Sequence, residues 1–124
     1  MSSSVYIIMP VGSDPDFQRR RGIINYAVIS MGYSATFPHY EEFAQPFDLA
    51  VAKAEIAASS AVLADLTYER PSCYYEVGLA QAVHSRVLLI AQAGTVVHQV
   101  YRRDWVAYYE SLENLDRCVQ DLLA

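Results

Sequence analysis

The stretch Val5-Tyr6-Ile7-Ile8-Met9, followed by Pro10-Val11-Gly12-Ser13-Asp14-Pro15, decides how the rest of the chain is read. Its apolar residues are continuous rather than alternating, so the segment predicts a strand covered on both faces, central in a sheet. The proline- and glycine-punctuated residues after it predict a loop. Beyond that loop, Phe17, Ile24, Ala27, Val28 and Met31 recur at helical spacing, and Gly32 stands just past the end, which predicts a helix over Phe17–Met31. Tyr33–Phe37 reads as a short strand closed by Pro38, and His39–Pro46 as an irregular acidic and aromatic loop.

The same alternation continues to the end of the chain. Leu49, Ala52, Ala54, Ile56 and Ala57 predict an alanine-rich helix over Phe47–Ser59, with Asp48 at its positive end. Ala61–Ala64 is a second fully apolar strand, running into Asp65-Leu66-Thr67. A loop over Tyr68–Ser72 leads to a helix from Cys73 to His84, with Ser72 as the expected N-cap. Val87–Ala91 is a fourth strand, Val96–Arg103 a weaker helical segment, and Val106–Tyr109 a short fifth strand. Leu112, Leu115, Val119 and Leu122 then mark one face of a closing helix over Leu112–Leu123. Alternating strands and helices predict an α/β, flavodoxin-like three-layer sandwich around a parallel five-stranded sheet in the order 2-1-3-4-5. In such a sheet ligands sit at the carboxyl ends of the strands, beside the point where strand order reverses. That places the expected crevice between Met9–Asp14 and Asp65–Ser72.

At 124 residues the length suits a single domain over 1–124, and 53% apolar against 19% charged residues predicts a folded core. Nine Lys and Arg against 14 Asp and Glu give a net charge of -5, which argues against DNA, RNA or an anionic bilayer as partners. Apolar runs such as Val87–Ala91 fall far short of the roughly 20 residues of a membrane span. Met1-Ser2-Ser3-Ser4 leads into the first strand with no apolar leader, so a soluble, cytoplasmic protein is expected. Cys73 and Cys118 lie far apart and His39, His84 and His98 form no ligand pattern, so reduced thiols and neither a metal site nor a cofactor are expected. Ten tyrosines suit either a cleft or interface, or ordinary core packing.

Several chemistries of this architecture lack their residues. There is no Gly-x-Gly-x-x-Gly and no Walker lysine after the first strand, no carboxylate at its Ile8-Met9-Pro10 end, and no Gly-x-Ser-x-Gly elbow. What stands out is Glu76, whose neighbours three, four and seven positions on are Leu79, Ala80 and Val83, so it faces the apolar side of its helix. Two readings are open. One is a helix-start carboxylate satisfied by the dipole and backbone N–H groups. The other is a nucleophile kept anionic by the helix N-terminus, walled by Tyr74 and Tyr75, and aimed at an electrophilic sugar carbon.

Ala64-Asp65-Leu66-Thr67, then Tyr75-Glu76-Val77-Gly78-Leu79-Ala80 beginning eight positions after Thr67, preceded by Val5–Pro10, resembles the nucleoside 2-deoxyribosyltransferase-like superfamily over residues 5–92. Within it the pattern is similar to the 2′-deoxynucleoside 5′-phosphate N-hydrolases and to small TIR-like or deoxyribosyltransferase-like bacterial proteins. The resemblance implies a flavodoxin-like enzyme that cleaves or transfers the N-glycosidic bond of a nucleoside, a nucleotide or NAD. It makes Glu76 the nucleophile on the sugar C1′ and Tyr6 an orienter of the substrate or of the nucleophile, and it brings Gly12, Ser13, Arg70 and Ser72 near the sugar or its 5′-phosphate. Met9, Pro10 and Thr67 complete the expected substrate-binding set as crevice residues.

One position departs from the family pattern. Where members place an acid for the leaving base, this chain has Ala52, with Lys53 and Glu55 as neighbours. Asp65 is the expected substitute, or else a strand-end carboxylate that caps its own loop. Without an acid, a base that leaves unprotonated, such as the nicotinamide of NAD, is the expected better substrate. Arg19, Arg20 and Arg21 point in different directions along their helix, so at most one can face a ligand, and Asp14 and Asp16 beside them oppose a phosphate. Tyr101, Arg102, Arg103 and Trp105 are candidates for a homodimer interface, by analogy with sites completed across subunits. Two non-catalytic readings compete: a sensor for a nucleotide-derived ligand in the same crevice, and a protein-interaction module with a tyrosine-rich surface.

Overall fold

Apolar strands without a polar face can be stable only between two layers of helices, and the protein has this arrangement. The computed structural model describes residues 3–37 and 48–124. In chain order the elements are β1 (Ser4–Ile8), α1 (Phe17–Ser30), β2 (Ser34–Thr36), α2 (Leu49–Ala58), β3 (Ala61–Asp65), α3 (Pro71–Val83), β4 (Val87–Gln92), a 3₁₀ turn (Arg103–Trp105), β5 (Ala107–Tyr109) and α4 (Leu112–Leu123). The five strands form one sheet in the order β2-β1-β3-β4-β5, every pair parallel. This is the expected flavodoxin-like sandwich. The expected loop over His39–Pro46, with Pro38 and Phe47 at its ends, lies outside the described residues.

Successive side chains of a strand point to opposite faces, and this divides the core in two. Val5, Ile7 and Met9 of the first strand and its exit, with Ala61 and Leu63 of β3, pack with Ile24, Ala27 and Val28 of α1 and Leu115 and Val119 of α4. Tyr6 and Ile8, with Val62 and Ala64, pack on the other side with Ile56 of α2 and Cys73, Val77 and Ala80 of α3. In register, Tyr6 stands opposite Val62, Ile8 opposite Ala64, and Asp65 opposite Ile90. Residues of odd number in β1 and β3 therefore face α1 and α4, and those of even number face α2 and α3.

Two local expectations are corrected. Helix α3 begins at Pro71 with Arg70 as its cap residue, so Ser72 lies inside the first turn and is not the N-cap. Proline at the first helical position gives up an N–H that has no intrahelical acceptor there, and its fixed φ already suits the helix. The expected helix over Val96–Arg103 is absent. Its weak periodicity loses to tertiary contacts: Val97 is buried, the His98 N–H donates to the Tyr74 hydroxyl, and the Gln81 amide donates to the Tyr101 carbonyl. Arg102 then takes φ 66, a left-handed conformation that ends any helix, and only the short 3₁₀ turn follows. Among the described residues no helix is long and apolar enough to cross a membrane.

Candidate functional site

The carboxyl ends of β1 and β3, the neighbours at which strand order reverses, are laced together by one bond. The Ser13 hydroxyl donates to the Tyr68 carbonyl at 2.6 Å, joining the loop after β1 to the loop after β3. Tyr68 is held at φ 58 and remains 49% exposed. A non-glycine residue in the left-handed region costs of order 1–3 kcal/mol and persists only where its surroundings impose it. Of the expected binding residues, Gly12, Ser13, Arg70 and Ser72 are exposed along this rim, whereas Met9, Pro10 and Thr67 are buried beneath it. The structure thus brings the expected crevice residues to one end of the sheet.

Behind the rim lies a buried polar chain that the sequence did not announce. Arg20 is 1% exposed, its Nε donates to Asp14 at 2.7 Å, and its Nη1 donates to the Tyr109 hydroxyl at 2.6 Å and to Gln92 at 3.3 Å. The Tyr109 hydroxyl donates in turn to Asp65 at 2.7 Å. Thr67 donates to the other Asp65 oxygen from both its N–H, at 3.0 Å, and its hydroxyl, at 2.7 Å. The Gln92 N–H closes the set by donating to the Thr67 hydroxyl. Burial pushes the Asp65 carboxyl above its ordinary range, opposed by the Tyr109 and Thr67 bonds and the Arg20 charge. Burial works against the Arg20 charge, yet the Asp14 bond and the neighbouring acids hold its pKa above the usual value. Burial and the Asp65 charge push the Tyr109 hydroxyl well up.

The run of three arginines resolves into three separate roles. Arg19 pairs with Glu113 at 3.3 Å on the surface, Arg20 enters the buried chain, and Arg21 lies over the Phe37 ring at 4.3 Å. Nothing in the spacing of Asp14 and Arg20 marks them as partners. Only the alternation of β3 carried a signal, since Asp65 shares the odd-numbered face of Leu63, toward α1 and α4.

Tyr6 and Glu76 meet on the opposite face. Tyr6 is buried in mid-β1, its hydroxyl bonded to the carboxylate of Glu76, which is 3% exposed on the second turn of α3. Burial, then the charges of Glu76 and Glu55, push the Tyr6 hydroxyl far above its ordinary value. Ala52 is buried on α2 and supplies no acid. Asp65 does not replace it, because its carboxylate is held by Thr67 and Tyr109 on the other side of the sheet from Glu76.

No protein-family model matches the chain, and no curated protein matches it. Among solved structures the chain is similar to a diflavin flavoprotein A3 from Nostoc sp., with a TM-score of 0.63 and 8% identity, covering 99% of this chain and 92% of that one. At that identity the likeness shows the fold. It also overturns the expected cleavage or transfer of an N-glycosidic bond, since the full-length match is to a flavoprotein. Asp65 is turned away from Glu76, and on the Glu76 side of the sheet the charge of Glu55 on α2 also acts on Tyr6.

Proposed function

We propose that this chain is a flavodoxin-like binding module for a flat heteroaromatic ligand, with the flavin ring system as the first candidate, seated at the rim where the loops after β1 and β3 meet. The observation that carries the reading is Tyr68, a half-exposed ring fixed at a strained backbone angle by the Ser13 bond. Aromatic faces stack on planar heterocycles, and a ring positioned by its backbone loses little freedom on binding. The fold likeness to a flavoprotein supports the choice of flavin.

Titration of riboflavin into the protein, followed by flavin fluorescence, tests this. Saturable quenching is expected, weakened roughly tenfold or more in Tyr68→Asn, since stacking on one aromatic ring is worth about 1–3 kcal/mol. Asparagine tolerates the left-handed backbone, so the variant removes the ring without new strain. No quenching by riboflavin or by flavin mononucleotide, with the protein folded by circular dichroism, defeats the reading.

A second reading, self-association, is favoured by Arg102 lying over the exposed rings of Tyr101 and Trp105 at 5.0 and 4.0 Å. Sedimentation velocity showing a monomer at every concentration removes it.

A further inference from the structure

The bond from Ser13 to the Tyr68 carbonyl fixes the backbone of Tyr68, and the Glu69 N–H closes a turn around it by donating to the Leu66 carbonyl at 3.2 Å. Neither contact holds the ring, which still turns about its two side-chain torsions. The group set against the ring is Arg20, whose guanidinium carbon stands over it at 6.0 Å from the centroid and over the Tyr109 ring at the same distance. That guanidinium is itself held from several sides. Its Nε is bonded to Asp14, the residue after Ser13, and its Nη1 to the Tyr109 hydroxyl and to Gln92, so the loop after β1, β4 and β5 together fix its orientation. Asp14 is tied in turn by the Asp16 N–H at 2.8 Å. Paired with Asp14 at 2.7 Å and 1% exposed, Arg20 offers Tyr68 a flat, immobile surface more than a free charge. Tyr68 is nonetheless 49% exposed, so its ring is backed by a buried group while open to a ligand.

We propose that Arg20 is a positioning residue for the ligand seat: it touches no ligand and acts through Tyr68, holding the ring in the orientation on which a planar heterocycle stacks. This rests on the flavin reading above and deepens it. Without its backing the ring has to be ordered at the moment of binding, and the freedom lost then weakens the complex.

Riboflavin titrations of wild type, Arg20→Lys and Leu115→Ala, with folding followed by circular dichroism and stability by urea unfolding, separate positioning from general support of the core. Lysine keeps the charge and loses the planar fork. Arg20→Lys is therefore expected to weaken riboflavin binding roughly three- to tenfold, the factor that freeing one ordered side chain gives. Leu115→Ala, a core change outside the buried chain, is expected to lower stability and leave the affinity unchanged. In a Tyr68→Asn background Arg20→Lys is expected to change the affinity less than about twofold, because the residue acts through the missing ring. Where Arg20→Lys does not fold, Tyr109→Phe takes its place by removing one bond to the guanidinium, with an expected loss of roughly twofold or more that likewise disappears in Tyr68→Asn. Unchanged affinity in the Arg20 or Tyr109 variant, an equal loss in Leu115→Ala, or a loss that persists undiminished in Tyr68→Asn overturns the inference and leaves the flavin reading intact. Failure of riboflavin to bind the folded wild type overturns both.

Discussion

At the scale of single residues, Tyr109 is the joint of the buried chain, since its hydroxyl accepts from Arg20 and donates to Asp65. Tyr109→Phe leaves both partners short of a bond inside the core, at an expected cost of about 1–3 kcal/mol in urea unfolding. A change below a few tenths of a kcal/mol would show the chain to be dispensable. Asp65 adds a pH signature. Burial raises its folded pKa above the unfolded value of about 4, so the folded protein binds the proton more tightly. Its contribution is therefore fully present below the unfolded pKa and declines as pH rises through the folded one. The stability gap between wild type and Asp65→Asn is expected to narrow from about pH 4 upward; a gap that widens with pH contradicts the raised pKa. At this scale the sequence was partly legible. The apolar neighbours of Glu76 one and two turns on correctly placed it inward, and its tyrosine partner Tyr6 was named only through a family resemblance. Asp14 and Arg20, six positions apart on a loop and a helix, show no pattern that pairs them.

At the scale of elements, what could be read and what could not follows from which forces decide each one. The runs Val5–Met9 and Ala61–Ala64 are apolar throughout, and both strands lie where such runs can be stable, in the middle of the sheet. Helix α4 was equally plain from its spacing, and Leu112, Leu115, Val119 and Leu123 fill its inner face, with Leu122 packed at the edge. Leu115→Ala is expected to cost about 2–5 kcal/mol by opening a cavity against α1 and the sheet. Helix α3 starts two residues before the expected Cys73, because Pro71, loop-like in sequence, is the first helical residue. Ser72→Ala is accordingly expected to change stability by no more than about 0.5 kcal/mol, whereas loss of a true N-cap costs about 1; the larger value would restore Ser72 as the cap. The segment after β4 departs from its expected helix for a different reason. Its shape is set by bonds to Tyr74 and Gln81 on α3, which local periodicity does not encode.

At the scale of the whole molecule, the order of strands could be argued from alternation and handedness alone, and with it the end of the sheet at which a ligand would sit. The activity could not. A motif resemblance centred on Glu76 implied glycosidic chemistry, but the Asp65 needed beside it belongs to the other layer, and the full-length structural likeness is to a flavoprotein. The sheet separates the two acidic centres into different tasks. Asp65 helps tie α1, β3, β4 and β5 together at the carboxyl end, and Glu76 with Tyr6 is buried between α3 and β1. The rim between them, joined by Ser13 and Tyr68, is the proposed seat of the ligand. The most direct test of that claim is amide chemical-shift mapping of the isotope-labelled protein during addition of riboflavin. Saturable shifts concentrated at 11–14, 66–70 and Ser72 are predicted. Absent shifts, or shifts confined to the opposite end of the sheet around His84 and Arg86, would contradict it.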